Sequence, residues 1–253
     1  METSKITEII DSTSGAPSGE YVVSPSVLFV VAPDGSGRLF DLEDSFYAVE
    51  PVGVQMLRES LRQDRETTVR ALAQRYGIDA GRVREDYSVF FEDLQRRKLV
   101  YLRAARPADR PRARRRTIVL VPLFALIRRL PLRLQAWALL ASARVSIRLF
   151  GWNETVRAWL KYPGRNSTLN GVAEEVICTS VRRVAARHLL GVSCKERSLC
   201  CWSLCRAAGI PASVVLGISL FPLASHCWCE TAAGCLTDFP DRCESFTPVL
   251  KYL

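Results

Sequence analysis

Three side chains in the last quarter of the chain have the types and order of a cysteine nucleophile system. Cys194 opens the run SCKERSLCCWSLCRAAGIP, His226 follows thirty-two residues later in SHCWCE, and Asp238 twelve residues after that in CLTDFP. The thiolate, not the thiol, is the reactive form, and the positive end of a helix dipole favours it. Ser193 and Cys194 precede apolar positions at Leu199, Trp202 and Leu204, so Cys194 is expected in the first turn of a helix. Cys200, Cys201 and Cys205, deeper in that helix, fit small buried residues, and burial is the competing role for Cys194. An imidazole can accept the thiol proton and later donate it to a leaving amine. Of the two histidines, His188 sits in VAARHLLG, a helix-surface or packing pattern. His226 instead opens a strand whose alternation puts His226, Trp228 and Glu230 on one face and Cys227 and Cys229 on the other.

The carboxylate has a geometric argument. TAAG (231–234) reads as a tight turn, and residue 232 is midway between 226 and 238. If the flanking strands pair, Asp238 lies nearly opposite His226, where cross-strand Cβ atoms are about 4.5–5.5 Å apart. That contact would set the imidazole tautomer and stabilise the imidazolium. Asp241 is the alternative partner, and a strand-end aspartate is the plain reading of Asp238. Zinc is the rival chemistry for the cysteines, with Cys227-x-Cys229 as a ligand pair. No C-x-x-C pair occurs, so no metal site is expected. No P-loop is present, and no cofactor is expected.

The elements that must carry these residues fall into two modules of opposite charge. Residues 1–102 are net −5 and residues 103–253 net +14. Residues 1–20 read as a flexible N-terminus. Residues 21–102 then show three strands: YVVSPSVLFVVAP, GRLFDLED after a PDGSG turn (33–37), and SFYAVE. Three helices follow. Pro51 starts the first (Val54, Leu57, Leu61), Thr67 or Thr68 caps the second, which Gly77 stops, and Asp79 caps the third, over Arg82–Leu99. Residues 103–116 hold seven arginines and two prolines and read as a solvated linker. Residues 117–253 begin helically through about Leu190 and end with the Cys194 helix and the strands VVLGIS, HCWCE and CLTDF. The fold class is α+β.

Several function classes recede on composition. Winged-helix proportions allow DNA binding, but a net-negative first module opposes phosphate contact, so no nucleic acid partner is expected. The apolar stretch 117–150 is broken by Arg128, Arg129, Arg133, Arg144 and Arg148, which argues for a buried or partner-facing helix pair over a membrane span. The acidic N-terminus lacks the apolar core of a secretory signal, and the nine cysteines then read as free thiols. Localisation is expected to be cytoplasmic, with association at a membrane surface as the alternative.

The motifs C-x-x-R-S-L (194–199), G-I-P-A (209–212), V-V-L-G (214–217), H-x-W-x-E (226–230) and L-x-D (236–238) resemble the leader peptidase of lasso-peptide biosynthesis, a transglutaminase-like, papain-related cysteine protease family. The resemblance implies Cys194 as nucleophile, His226 as base and acid, and Asp238 as its orienter. It departs at Cys227 and Cys229, where that family often has small or apolar residues. Residues 21–101 are similar to the winged-helix-like leader-recognition domain of peptide-modifying enzymes, here fused to the protease. There a precursor's leader adds a strand beside the third strand, which implies Phe46, Tyr47, Ala48 and Val49 as the binding strand, with Arg82–Leu99 as the other wall. The implied partners are a precursor peptide, a macrolactam-forming cyclase that uses the ATP, and an export transporter, with 103–150 as docking segment. Two rivals stand beside this reading: an acyl-transferring transglutaminase-like enzyme, and a non-enzymatic peptide-binding adaptor.

Overall fold

The computed structural model describes residues 8–10, 19–42, 45–103, 126–160, 169 and 171–253. The chain divides into two compact units, Met1–Asp109 and Arg110–Leu253, and both mix helix with antiparallel sheet.

In the first unit the order is β1 (Glu8–Ile10), β2 (Tyr21–Val23), β3 (Val27–Val31), β4 (Gly37–Asp41), β5 (Ser45–Val49), α1 (Pro51–Arg62), α2 (Arg65–Tyr76), α3 (Ala80–Arg96) and β6 (Val100–Leu102). The expected three-strand meander is β3-β4-β5, joined by a turn in which Asp34 Oδ1 accepts the Ser36 N–H at 2.9 Å and Gly35 takes φ +82°. Two features correct the sequence reading. Part of the segment expected to be loose forms β1, which pairs with β3 (Glu8 opposite Val31) while Glu8 contacts Arg58. The run 21–33 is two strands, because Pro25 has no N–H to give a ladder. Tyr21–Val23 leaves the sheet and pairs with β6, Val23 opposite Val100.

The helices of this unit close its core. Phe29, Leu39, Leu57, Val69, Tyr87 and Phe91 are among the residues buried between helices and sheet. The cap of α2 is Asp64, which accepts the Thr67 N–H at 3.0 Å and the Thr67 hydroxyl at 2.7 Å. Thr67 is therefore a donor inside the helix, not its cap. Gly77 ends α2 in the left-handed region (φ +64°), where a side chain would be strained. Asp79 caps α3, which runs two residues earlier than expected and ends at Arg96. There Lys98 turns to φ +61° and the Leu99 N–H reaches back to the Leu94 carbonyl, sending the chain into β6.

The second unit contains α4 (Leu132–Trp159, kinked at Gly151), α5 (Glu174–Ala185), α6 (Cys194–Ala208), β7 (Ser213–Leu220), β8 (Leu223–Thr231), β9 (Gly234–Cys235), α7 (Pro240–Glu244) and β10 (Thr247–Tyr252). The sheet order is β10-β7-β8-β9. The strand expected from CLTDF shrinks to Gly234–Cys235, and β10 was not foreseen. Helix α6 packs against α4, α5 and β8. Leu199, Cys200, Cys201, Trp202, Leu204 and Cys205 are fully buried, and so are Ser198 and Ser203, so α6 is the central helix, covered on every side. Its thiols are small enough to let it pack on β8, and Cys201, Cys205 and Cys229 of that strand are all fully buried. Residues 104–125, which hold nearly all of the arginine-rich linker and the first apolar run, lie outside the described residues. Among the described residues no helix is long and apolar enough to cross a membrane.

Candidate active site

Cys194 is the first residue of α6 and is half-buried. The turn that presents it is tied down by Glu196, which accepts the Ser193 N–H at 2.8 Å and the Ser193 hydroxyl, and pairs with Arg144 of α4 at 2.9 Å. Burial by itself would raise the Glu196 carboxyl, but the hydrogen bonds from Ser193 and Arg144 outweigh it and hold the group below the usual carboxylate range. Four residues on, the Ser198 hydroxyl lies 2.8 Å from the Cys194 carbonyl and 2.9 Å from the Cys227 carbonyl of β8. Ser198 therefore sits level with Cys227 of β8. Cys194, one helical turn before Ser198, thus stands at the N-terminal end of the helix that packs on the strand carrying His226.

His226 is buried at 3% exposure, opposite Gly217 of β7. Its ring lies 6.1 Å from that of Trp228 and 5.2 Å from that of Phe246. Gly217 makes this wall possible, because a Cβ there would fall 2.7 Å from Trp228 and 2.8 Å from Phe246. His226 Nε2 stands 3.0 Å from Asp238 Oδ2. The contact does not meet hydrogen-bond geometry at the ring N–H, so it is a close polar approach rather than a formed hydrogen bond. Asp238 Oδ1 accepts the Phe239 N–H at 2.9 Å, and Oδ2 also faces Arg242 at 3.6 Å and Arg197 at 4.0 Å. Burial lowers the His226 pKa; Asp238 acts against that, while Arg242 and Arg197 add to it, so the neutral imidazole is favoured.

The contact does not arise from a continuous hairpin. The turn is Ala232-Ala233, with Thr231 opposite Gly234 and Glu230 opposite Cys235. That register, extended, would set Phe239 opposite His226. The ladder stops first. Leu236 N–H reaches the Cys229 carbonyl at 2.8 Å, but the Cys229 N–H goes to the Thr237 hydroxyl oxygen at 2.9 Å. A side chain thus replaces the next backbone acceptor and the chain peels away. Arg182 of α5 then takes the Leu236 carbonyl at 2.8 Å and the Asp238 carbonyl at 3.4 Å. Asp241 is exposed in the first turn of α7.

Other sequence candidates lie elsewhere. His188 is just beyond α5, where Nδ1 accepts the Leu190 N–H at 3.2 Å and Nε2 is 3.2 Å from the Trp137 carbonyl. Among the described residues no three His, Cys, Asp or Glu side chains form a group that could hold a metal ion. In the first unit, β5 ends its sheet, and among the described residues no strand pairs with its outer edge. Phe46, Tyr47, Ala48 and Val49 line a groove of about 580 Å³ whose far wall is Phe90, Asp93, Leu94 and Arg97 of α3. Asp93 holds Arg97 at 2.8 Å, and the guanidinium lies 5.4 Å from the Tyr47 ring centre.

Residues 136–251 match the family model for the transglutaminase-like superfamily. Residues 36–100 match that of coenzyme PQQ synthesis protein D (PqqD). No curated protein and no solved structure matches the chain. Together the two matches fit a peptide-modifying or peptide-cleaving enzyme, built as a small sheet domain followed by a transglutaminase-like domain. Sequence reasoning passed over Glu196, although Ser193-x-x-Glu196 is the spacing of a capping box. Ser198, Thr237 and Arg182 carry no such signal.

Proposed function

We propose that this protein is a cysteine leader peptidase of lasso-peptide maturation, with residues 21–102 as leader-recognition module and 117–253 as peptidase. The observation that supports the reading is the buried His226–Asp238 contact at 3.0 Å, on a strand against which packs the helix whose first residue is Cys194. Cys194 Sγ, relieved of its proton by His226, attacks the carbonyl at the leader–core junction. Because Asp238 faces Nε2, Nδ1 is the ring nitrogen that exchanges the proton. The tetrahedral adduct collapses to a leader thioester, and His226 returns the proton to the departing core amine. Water then hydrolyses the thioester and frees Cys194.

The groove beside β5 is the seat proposed for the leader, adding as a strand along Phe46–Val49. Tethering raises the local concentration of the cut site, so the peptidase can bind it weakly. The freed amine passes to a separate cyclase. Leu134, Trp137, Val145 and Leu149 of α4 are exposed and are the proposed contact for that cyclase or an exporter. The reaction would take place in the cytoplasm. The transglutaminase-like match favours one second reading, acyl transfer from the thioester to an amine. Mass spectrometry of a precursor peptide incubated with wild type and with Cys194→Ala decides. Free leader from wild type alone supports the peptidase, a crosslinked product supports acyl transfer, and equal products overturn both.

A further inference from the structure

Outside the proposed catalytic set, Cys235 of β9 and Cys243 of α7 bring their sulfurs to 2.8 Å. That is inside van der Waals contact, and closing to a disulfide needs a further approach of only about 0.8 Å, since S–S bonds are about 2.05 Å. Cys235 is half-exposed, whereas Cys243 is 7% exposed. Cys243 packs with Val215 and Trp228, against which Cys235 and Phe246 also rest. Trp228 and Phe246 are the rings that flank His226. The residues between the two thiols include Thr237, Asp238 and Arg242. No role in the proposed chemistry falls to either cysteine.

We infer that Cys235 and Cys243 are an oxidation site, a dithiol that peroxide converts to a disulfide closing the segment that carries Asp238. Cys235, the less buried of the two, meets the oxidant first. Burial, and then the hydrogen bond with Cys235, push the Cys243 thiol up, which suits it to the second, resolving role. Peroxide oxidises the Cys235 thiol to a sulfenic acid and releases one water. Cys243 sulfur then attacks that sulfur, its proton leaves with the hydroxyl as a second water, and the S–S bond forms. Two thiols are oxidised by two electrons and one peroxide is reduced. Dithiothreitol reverses the bond by exchange.

The test uses the full chain, treated with hydrogen peroxide or with dithiothreitol, alkylated and digested with trypsin. Cleavage after Arg242 separates Cys243 (peptide 243–251) from Cys235 (peptide 207–242), and Cys194 falls in a third peptide, 188–195. The expected result is 207–242 joined to 243–251 through Cys235, at peroxide doses that leave Cys200 and Cys201 alkylatable after unfolding. The joined peptide disappears with dithiothreitol and in Cys235→Ser and Cys243→Ser. The oxidised protein should melt about 5–10 °C higher than the reduced, as expected for a short closed loop. Cys243 remaining separately alkylated at those doses, or linked to a different cysteine, overturns the inference. These readouts do not require cleavage activity, so failure of the peptidase reading would leave them standing.

Discussion

Thr237→Val should loosen the junction that brings Asp238 to His226. Valine keeps the shape of threonine and replaces its hydroxyl with a methyl group. The hydroxyl oxygen accepts the Cys229 N–H at 2.9 Å in a site where Thr237 is 5% exposed. Leaving a buried N–H without an acceptor costs about 1–3 kcal/mol. The Ser198 hydroxyl, 3.4 Å away, adds little, because it keeps the Cys194 and Cys227 carbonyls at 2.8 and 2.9 Å. In a unit of this size the loss corresponds to a fall in melting temperature of roughly 3–10 °C. If the transition state feels the same loss, leader cleavage slows about 5- to 160-fold. Asp238 acts to raise the His226 pKa, so its displacement also moves the imidazole titration, followed by NMR, to lower pH. Thr237→Ser retains the acceptor and should stay near wild type in all three measurements. A valine variant with unchanged melting, titration and rate would refute the assignment of Thr237 as a positioning residue.

Three further outcomes are expected. Arg242→Gln removes a positive charge that lowers the His226 pKa, so the acid limb of kcat/KM should move to higher pH. The guanidinium is largely exposed, so solvent screening keeps the effect small. The folded His226 pKa is below the unfolded one, so its contribution to stability is complete above about pH 6.5 and is lost as pH falls through the folded value; melting curves at pH 5 and 7.5 should show a smaller acid loss in Arg242→Gln than in wild type. Arg144→Met leaves the buried Glu196 carboxylate with only its Ser193 donors, and should cost about 2–4 kcal/mol by urea titration, short of the upper range for a broken buried pair. Because the folded Glu196 pKa is depressed, the wild-type contribution is present above about pH 4.5 and lost as pH falls through the folded value. Phe90→Ala, made in a Cys194→Ala background, should weaken leader binding about tenfold by calorimetry, and an unchanged Kd would move the leader away from the β5–α3 groove.

Local rules carried much of this protein's reading. Asp79 as a cap, Gly77 as a stop, Pro51 as a helix start and Cys194 in a first helical turn all follow from what one or two residues permit to the backbone. Alternation along 226–230 put His226 and Trp228 on one face for the same reason. These are short-range effects, and residue order encodes them. The strand β1, the split at Pro25 and the strand β10 were not legible, because a three- to six-residue strand is stable only against a partner that lies elsewhere in the sequence.

His226 and Asp238 could be named from spacing, but their approach could not be derived from it. A two-residue turn shifts the register by one, and the ladder then ends because Thr237 supplies a side-chain oxygen where a carbonyl would have continued it. Arg182, from a helix packed against α6, holds the released segment through its Leu236 and Asp238 carbonyls. Each of these contacts joins residues that are adjacent only after α5, α6 and β8 have packed. The residue types that could perform the chemistry were therefore readable in one dimension, because reactivity belongs to the side chain. Which atoms face one another was decided by packing, because distance and burial are properties of the fold.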